Sequence, residues 1–171
     1  MSRYRPPAPP KSRYITAAGA AAMNAELKYL WKVKRPEITQ SVKEAAAQGD
    51  RSENAEYIYG KKQLREIDRR VRYLSKRLDV LTIVDRIPDD RQTVYFGAWV
   101  DIIDEEDKAA RYRIVGPDEI GERSDYISMD APMAKQLLKK KIGDEFAIRR
   151  PDGNEVWYEI TGIEYLPDPA D

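Results

Sequence analysis

Three carboxylates, Asp50, Glu53 and Glu56, fall within the segment Gly49-Asp50-Arg51-Ser52-Glu53-Asn54-Ala55-Glu56-Tyr57, and they are the groups of this chain best placed to do chemistry. The 171 residues include neither histidine nor cysteine. Zinc, haem, iron–sulfur and thiol chemistry, Ser-His-Asp triads and imidazole general bases are therefore excluded together. Carboxylates remain, and a metal at this segment would be a hard ion such as Mg²⁺ or Mn²⁺, held by Asp or Glu and otherwise by water or by groups of a partner. Two carboxylates three residues apart at a helix start can point the same way, yet Asp50, Glu53 and Glu56 are too few for a dedicated Mg²⁺ site. The same region also suits helix N-capping and dipole complementarity, through Asp50, Ser52 and Glu53.

A second set of groups follows directly. From Lys61 to Arg77, eight Lys or Arg stand against only Glu66 and Asp68. Lys62, Arg65, Arg69, Arg72 and Lys76 recur at spacings of three and four, which places them along one helix face. Clustered cations on one face are the footprint of phosphate-backbone contact. The alternative is a solvated coiled-coil face, although such faces are usually mixed in sign.

These groups need elements to hold them. Leu64, Ile67, Val71, Leu74, Leu78 and Leu81 alternate spacings of three and four, the a/d seam of a coiled coil, and the five cations fall at its b and f positions. Before the acidic segment, Met23, Leu27, Leu30, Trp31, Ile38, Val42 and Ala45 also follow a helical period from about Thr16, with Pro36 expected to kink rather than end the helix. Two helices with one apolar stripe each, joined by a short polar turn, bury those stripes against each other as an antiparallel hairpin. At ~1.5 Å per residue each helix reaches on the order of 45 Å, with the acids at the tip. Thr16 is a plausible N-cap, although Gly19 stands where a capping box would carry glutamate.

The net charge of zero hides a division: residues 1 to 83 carry 18 basic and 9 acidic side chains, and residues 84 to 171 carry 12 basic and 21 acidic. Such asymmetry suggests a nucleic-acid surface on one half and a basic or protein partner on the other. The boundary lies at the loop signal Pro88-Asp89-Asp90, so two domains are expected: 16–84, the coiled-coil arm with its acidic tip at 49–57, and 90–171. Residues 1–15, with Pro6, Pro7, Pro9 and Pro10 among four basic side chains, read as a disordered tail. From about residue 94 the texture is extended, with strands expected over 94–102, 111–115, 146–150 and 156–163 and a helix over 132–140. The fold class is α+β: an N-terminal antiparallel helical coiled-coil hairpin and a C-terminal small antiparallel sheet with one helix. No apolar run is long enough to span a membrane, and a cytoplasmic protein is expected.

Four stretches, taken in order, resemble the bacterial Gre transcript-cleavage factors along essentially the whole chain from Ile15, and within them the GreB branch. They are the acidic tip at 49–57, the basic run Lys61 to Leu74, Phe96-Gly97-Ala98-Trp99-Val100, and Asp125-Tyr126-Ile127-Ser128 through Pro132-Met133-Ala134-Lys135 into Ile142-Gly143-Asp144. One departure is Ala131, between Asp130 and Pro132, where the family commonly carries serine.

The resemblance implies an FKBP-like C-terminal domain and a factor whose arm enters the secondary channel of RNA polymerase, a task the arm's length suits. Asp50 and Glu53 would complete the coordination of a Mg²⁺ in the polymerase active site, which the isolated chain does not bind alone, and the metal would activate water for attack on backtracked RNA. The chain would then not itself be an enzyme. It would stimulate the polymerase's own cleavage of nascent RNA and rescue arrested complexes. Lys62, Arg65, Arg69, Arg72 and Lys76 would hold the RNA 3′ segment, Asp130 and Pro132 would bind the polymerase, and the free protein would be a monomer. Two alternatives stand beside this: a Gre-like regulator of the same channel without cleavage activity, and a coiled-coil, FKBP-like binding module.

Overall fold

A computed structural model describes residues 10–49, 54–121 and 123–167 and divides the chain into two compact units, one of residues 20–81 and one that joins the N-terminal residues through Gly19 to those from Thr82 onward.

The first unit is the helical hairpin. Helix α1 (Ala17–Tyr29) runs through a π-helical turn (Leu30–Lys34) into α2 (Arg35–Ala47), and α3 (Ala55–Leu78) returns beside them. Pro36 sits at the start of α2 and accounts for the π turn. It has no N–H to give the Lys32 carbonyl, and the ladder widens so that the Arg35 N–H bonds Leu30 O, five residues back. The helix continues, as its apolar period requires. Ile67 and Leu74 are buried on α3, Met23 on α1 and Ala45 on α2. Gly60 is also buried, and a Cβ built there would come 2.5 Å from Val42 Cγ2, so the close approach of the helices at this point depends on residue 60 lacking a side chain. Ion pairs flank the seam: Arg35 Nε lies 2.8 Å from Asp68 and Arg70 Nε 2.7 Å from Glu26, with Asp68 and Arg70 at the e and g positions.

The second unit contains two sheets. A short parallel pair joins β1 (Tyr14–Thr16) to β2 (Thr82–Val84), the segments that precede and follow the hairpin. The expected tail reached Ile15. Tyr14 and Ile15 are instead in a strand, and Ile15 is fully buried, because the ladder to Thr82–Val84 satisfies its backbone and gives its side chain an apolar environment. The main sheet has the order β5 (Tyr126–Ser128), β4 (Ala109–Val115), β3 (Trp99–Asp104), β7 (Glu155–Glu164), β6 (Glu145–Arg149). It is antiparallel except at β5, which pairs parallel to β4, so the sheet is mixed rather than wholly antiparallel. Helix α4 (Pro132–Leu137) packs on it, with Ala134 and Leu137 buried against a core that includes Val100, Ile102, Ile114 and Ile160.

The expected strands form with shifted ends. Val94 and Ala98 are buried in irregular chain ahead of β3, where Thr93 and Lys141 form an isolated bridge. Asp104 closes the β3–β4 turn by accepting the N–H groups of Glu106 and Lys108 at 3.0 and 2.9 Å. Among the described residues no helix is long and apolar enough to cross a membrane.

Candidate functional site

Among the described residues, one side chain links the two helix ends at the tip. Asn54 is the N-cap of α3. Its Oδ1 accepts the Tyr57 N–H at 3.1 Å, and its Nδ2 donates to the Ala45 carbonyl at 2.8 Å. The first bond satisfies an orphan donor at the start of α3, and the second satisfies an orphan acceptor at the end of α2. A single amide thus ties the two helix ends of the turn together. Asp50 and Glu53 lie outside the described residues; Glu56, in the first turn of α3, is exposed.

The five cations of the stripe are brought together as their spacing requires. Lys62, Arg65, Arg69, Arg72 and Lys76 are all exposed on α3, opposite buried Gly60, Ile67 and Leu74. The ion-paired side chains Arg35, Asp68, Arg70 and Glu26 lie off the stripe, where they pin the seam. The Arg35 guanidinium is held above its ordinary pKa first by the hydrogen bond it donates to Asp68 and then by that carboxylate's charge. Among the described residues no ion pair engages any member of the stripe.

Trp31, placed on the apolar stripe by its spacing, is 54% exposed in the π turn. The Arg35 guanidinium lies 5.3 Å from its ring centroid. Trp31, Arg35, Asp68, Arg72 and Lys76 line one open depression of about 490 Å³.

In the second unit, Pro132 is exposed as the first residue of α4, whose N-cap position is Ala131 and makes no side-chain capping bond. Asp130 is engaged from within its own unit. One carboxylate oxygen accepts the Ser12 N–H at 2.9 Å and the other accepts the Ser12 hydroxyl, while the Asp130 N–H bonds Ser128 Oγ at 3.1 Å. The residue expected to meet a partner is therefore also an anchor for the N-terminal segment.

A further anchor had only half a signal in the sequence. The Thr16 hydroxyl caps α1 by accepting the Gly19 N–H at 3.0 Å. The reciprocal carboxylate, missing at position 19, comes from Glu119, which accepts the Thr16 N–H at 3.1 Å, the Thr16 hydroxyl, and the Gly116 N–H at 2.7 Å. A Cβ at Gly19 would overlap the Glu119 carboxylate, so the glycine makes room for it. The incomplete capping box was the one hint that a partner had to arrive from elsewhere.

Compared with known proteins, the chain matches the family profile "Transcription elongation factor, N-terminal" over residues 13–83 and "Transcription elongation factor, GreA/GreB, C-term" over 88–165. It is 56% identical over 169 residues to the transcription elongation factor GreB of Pseudomonas aeruginosa, covering 99% of this chain and 100% of that one. To the GreB of Haemophilus influenzae it is 54% identical over 155 residues, 87% of this chain and 98% of the other. A solved structure, a prokaryotic transcription elongation factor GreA/GreB from Nitrosomonas europaea, is similar at 19% identity and a TM-score of 0.41, covering 90% of this chain and 100% of that one.

Proposed function

Because the chain belongs to the GreA/GreB family of transcription elongation factors, we propose that its hairpin enters the secondary channel of RNA polymerase and brings Asp50 and Glu53 to the catalytic centre of a backtracked complex. It is a transcription elongation factor, and RNA polymerase is its partner. In this reading the bond-breaking machinery is the polymerase's, and the factor raises its rate of RNA cleavage from the bacterial cytoplasm, as a monomer.

The observation that carries the reading is the closure of the tip by Asn54. An ordinary role for tip acids is to cap the helix that follows, and here that role is filled by a neutral amide. A hard divalent ion takes six or more oxygen ligands, of which two tip carboxylates would supply only a part. The chain's donors fit a supplementary part, in which two carboxylates join ligands from the polymerase and water. When bound, such an ion lowers the pKa of its water.

The remaining roles belong to the chain itself. Helix α3, 24 residues and about 36 Å long, gives the hairpin its reach. Lys62, Arg65, Arg69, Arg72 and Lys76 hold the phosphates of the extruded RNA 3′ segment without base preference. Pro132 and Asp130 lie on the surface that meets the polymerase.

The test is RNA cleavage by backtracked polymerase with Asp50→Ala and Glu53→Ala, alongside a polymerase-binding competition. Cleavage should collapse while binding stays close to that of the parent, and stability should change by about 0.5 kcal/mol or less, as for other surface substitutions. Near-normal cleavage by both variants would overturn the assignment.

A further inference from the structure

Trp31 is a large aromatic side chain left half in water at the π turn, where Tyr29 and Val33 are exposed as well. Its surroundings are cationic. Arg35 lies over the ring and is tied to Asp68 at 2.8 Å, which restrains the indole and neutralises the one carboxylate that lines the depression. The other charged groups of the lining, Arg72 and Lys76, are members of the stripe on α3. An aromatic face beside backbone-tracking cations is the arrangement with which proteins hold single-stranded nucleic acid, since every base has a π-face. A protein partner with an apolar surface would have to bury Arg35, Arg72 and Lys76 against it, at a large desolvation cost.

We propose that Trp31 is a stacking platform for one base of single-stranded RNA, with Arg72 and Lys76 holding the adjoining phosphates in the same depression. The inference rests on the reading of the stripe as an RNA-binding face and adds a second helix and a second kind of contact to it. A phosphate-only face would hold RNA by charge and let it slide freely. A stacked base gives the bound strand a preferred register at no cost in sequence tolerance.

The experiment titrates the full-length protein at low salt with a short oligouridylate and with an abasic ribose-phosphate strand of the same length. Trp31→Ala should weaken binding of the oligouridylate about 5- to 100-fold, the range for loss of one stacked base. Its salt dependence should stay unchanged, its affinity for the abasic strand should equal the parent's, and Trp31→Phe should retain most of the affinity. Arg72→Gln with Lys76→Gln should weaken both strands and reduce the slope of log affinity against log salt by about 1.4.

Equal affinity of Trp31→Ala and parent for the oligouridylate would overturn the platform, and so would an equal loss on both strands. Unaltered RNA binding with weakened polymerase binding would instead place Trp31 against the polymerase and refute the inference. The stripe is judged separately, by Arg65→Gln with Arg69→Gln. If that variant loses RNA affinity and Trp31→Ala does not, only the platform fails; if that variant also binds with unchanged affinity and salt slope, the underlying reading of the stripe fails.

Discussion

Glu119 offers the sharpest test of how the N-terminal segment is held, because its carboxylate serves Thr16 and Gly116 at once and crowds Gly19. Both Thr16 and Gly116 are buried. A hydrogen bond to a charged acceptor contributes about 1.5–3 kcal/mol, and a buried donor left unsatisfied costs about 1–3 kcal/mol. Three such bonds share one half-buried carboxylate and are not additive, so Glu119→Ala should cost about 3 kcal/mol locally. Glu119→Gln should cost far less, about 1 kcal/mol. Its amide oxygen can still accept the two backbone N–H groups, and its NH₂ can donate to the second lone pair of the Thr16 hydroxyl.

The decisive observation is a change of sign at Gly19. Ala is favoured over Gly within a helix by about 1 kcal/mol, but in the parent a methyl there overlaps the Glu119 carboxylate, and overpacking costs about 1–3 kcal/mol. Gly19→Ala should therefore destabilise the parent and stabilise the Glu119→Ala variant. Native-state amide exchange at Thr16 and Gly116 is the suitable assay, since two units need not open together. A loss of about 3 kcal/mol corresponds to roughly 100-fold faster exchange when 1.4 kcal/mol is tenfold. If Gly19→Ala had the same effect with and without Glu119, the carboxylate would not be what that glycine accommodates.

Two further outcomes are expected. Gly60→Ala should set a helix-propensity gain of about 1 kcal/mol against overpacking of about 1–3 kcal/mol from Val42, 2.5 Å from the new methyl. Melting should fall slightly, cleavage should fall more because the tip is splayed, and Val42→Ala in the same chain should restore both; a more stable Gly60→Ala variant with full cleavage would contradict the close approach. Asp130→Asn should weaken polymerase binding by losing the charge while an acceptor for Ser12 remains, whereas Ser12→Ala should loosen only the N-terminal segment; equal binding losses from the two would show that Asp130 acts through Ser12 and not by meeting the polymerase.

The features legible in the chain were those whose cause lies within a turn or two of sequence. The a/d period of α3 placed Ile67 and Leu74 inward and the five cations outward, because 3.6 residues per turn decide a side chain's face before anything packs on it. Pro36 announced a disturbance of the helix ladder, taken up as the π turn, for the same reason, through a donor it lacks.

What eluded sequence reading depends on residues far apart. Ser12 meets Asp130 across 118 positions and Thr16 meets Glu119 across 103, so a segment rich in proline and cations gave no sign of its strand or of the Ser12 anchor, and only the incomplete capping box hinted at the other. The parallel pairing of β5 with β4 was hidden likewise, since pairing direction is a property of the path between strands and not of their composition. Trp31 is the instructive intermediate. Its spacing pointed to the seam, but the π turn forced by Pro36 shifts the ladder at that position, and only the fold brings it beside Asp68, Arg72 and Lys76, more than thirty residues further along the chain.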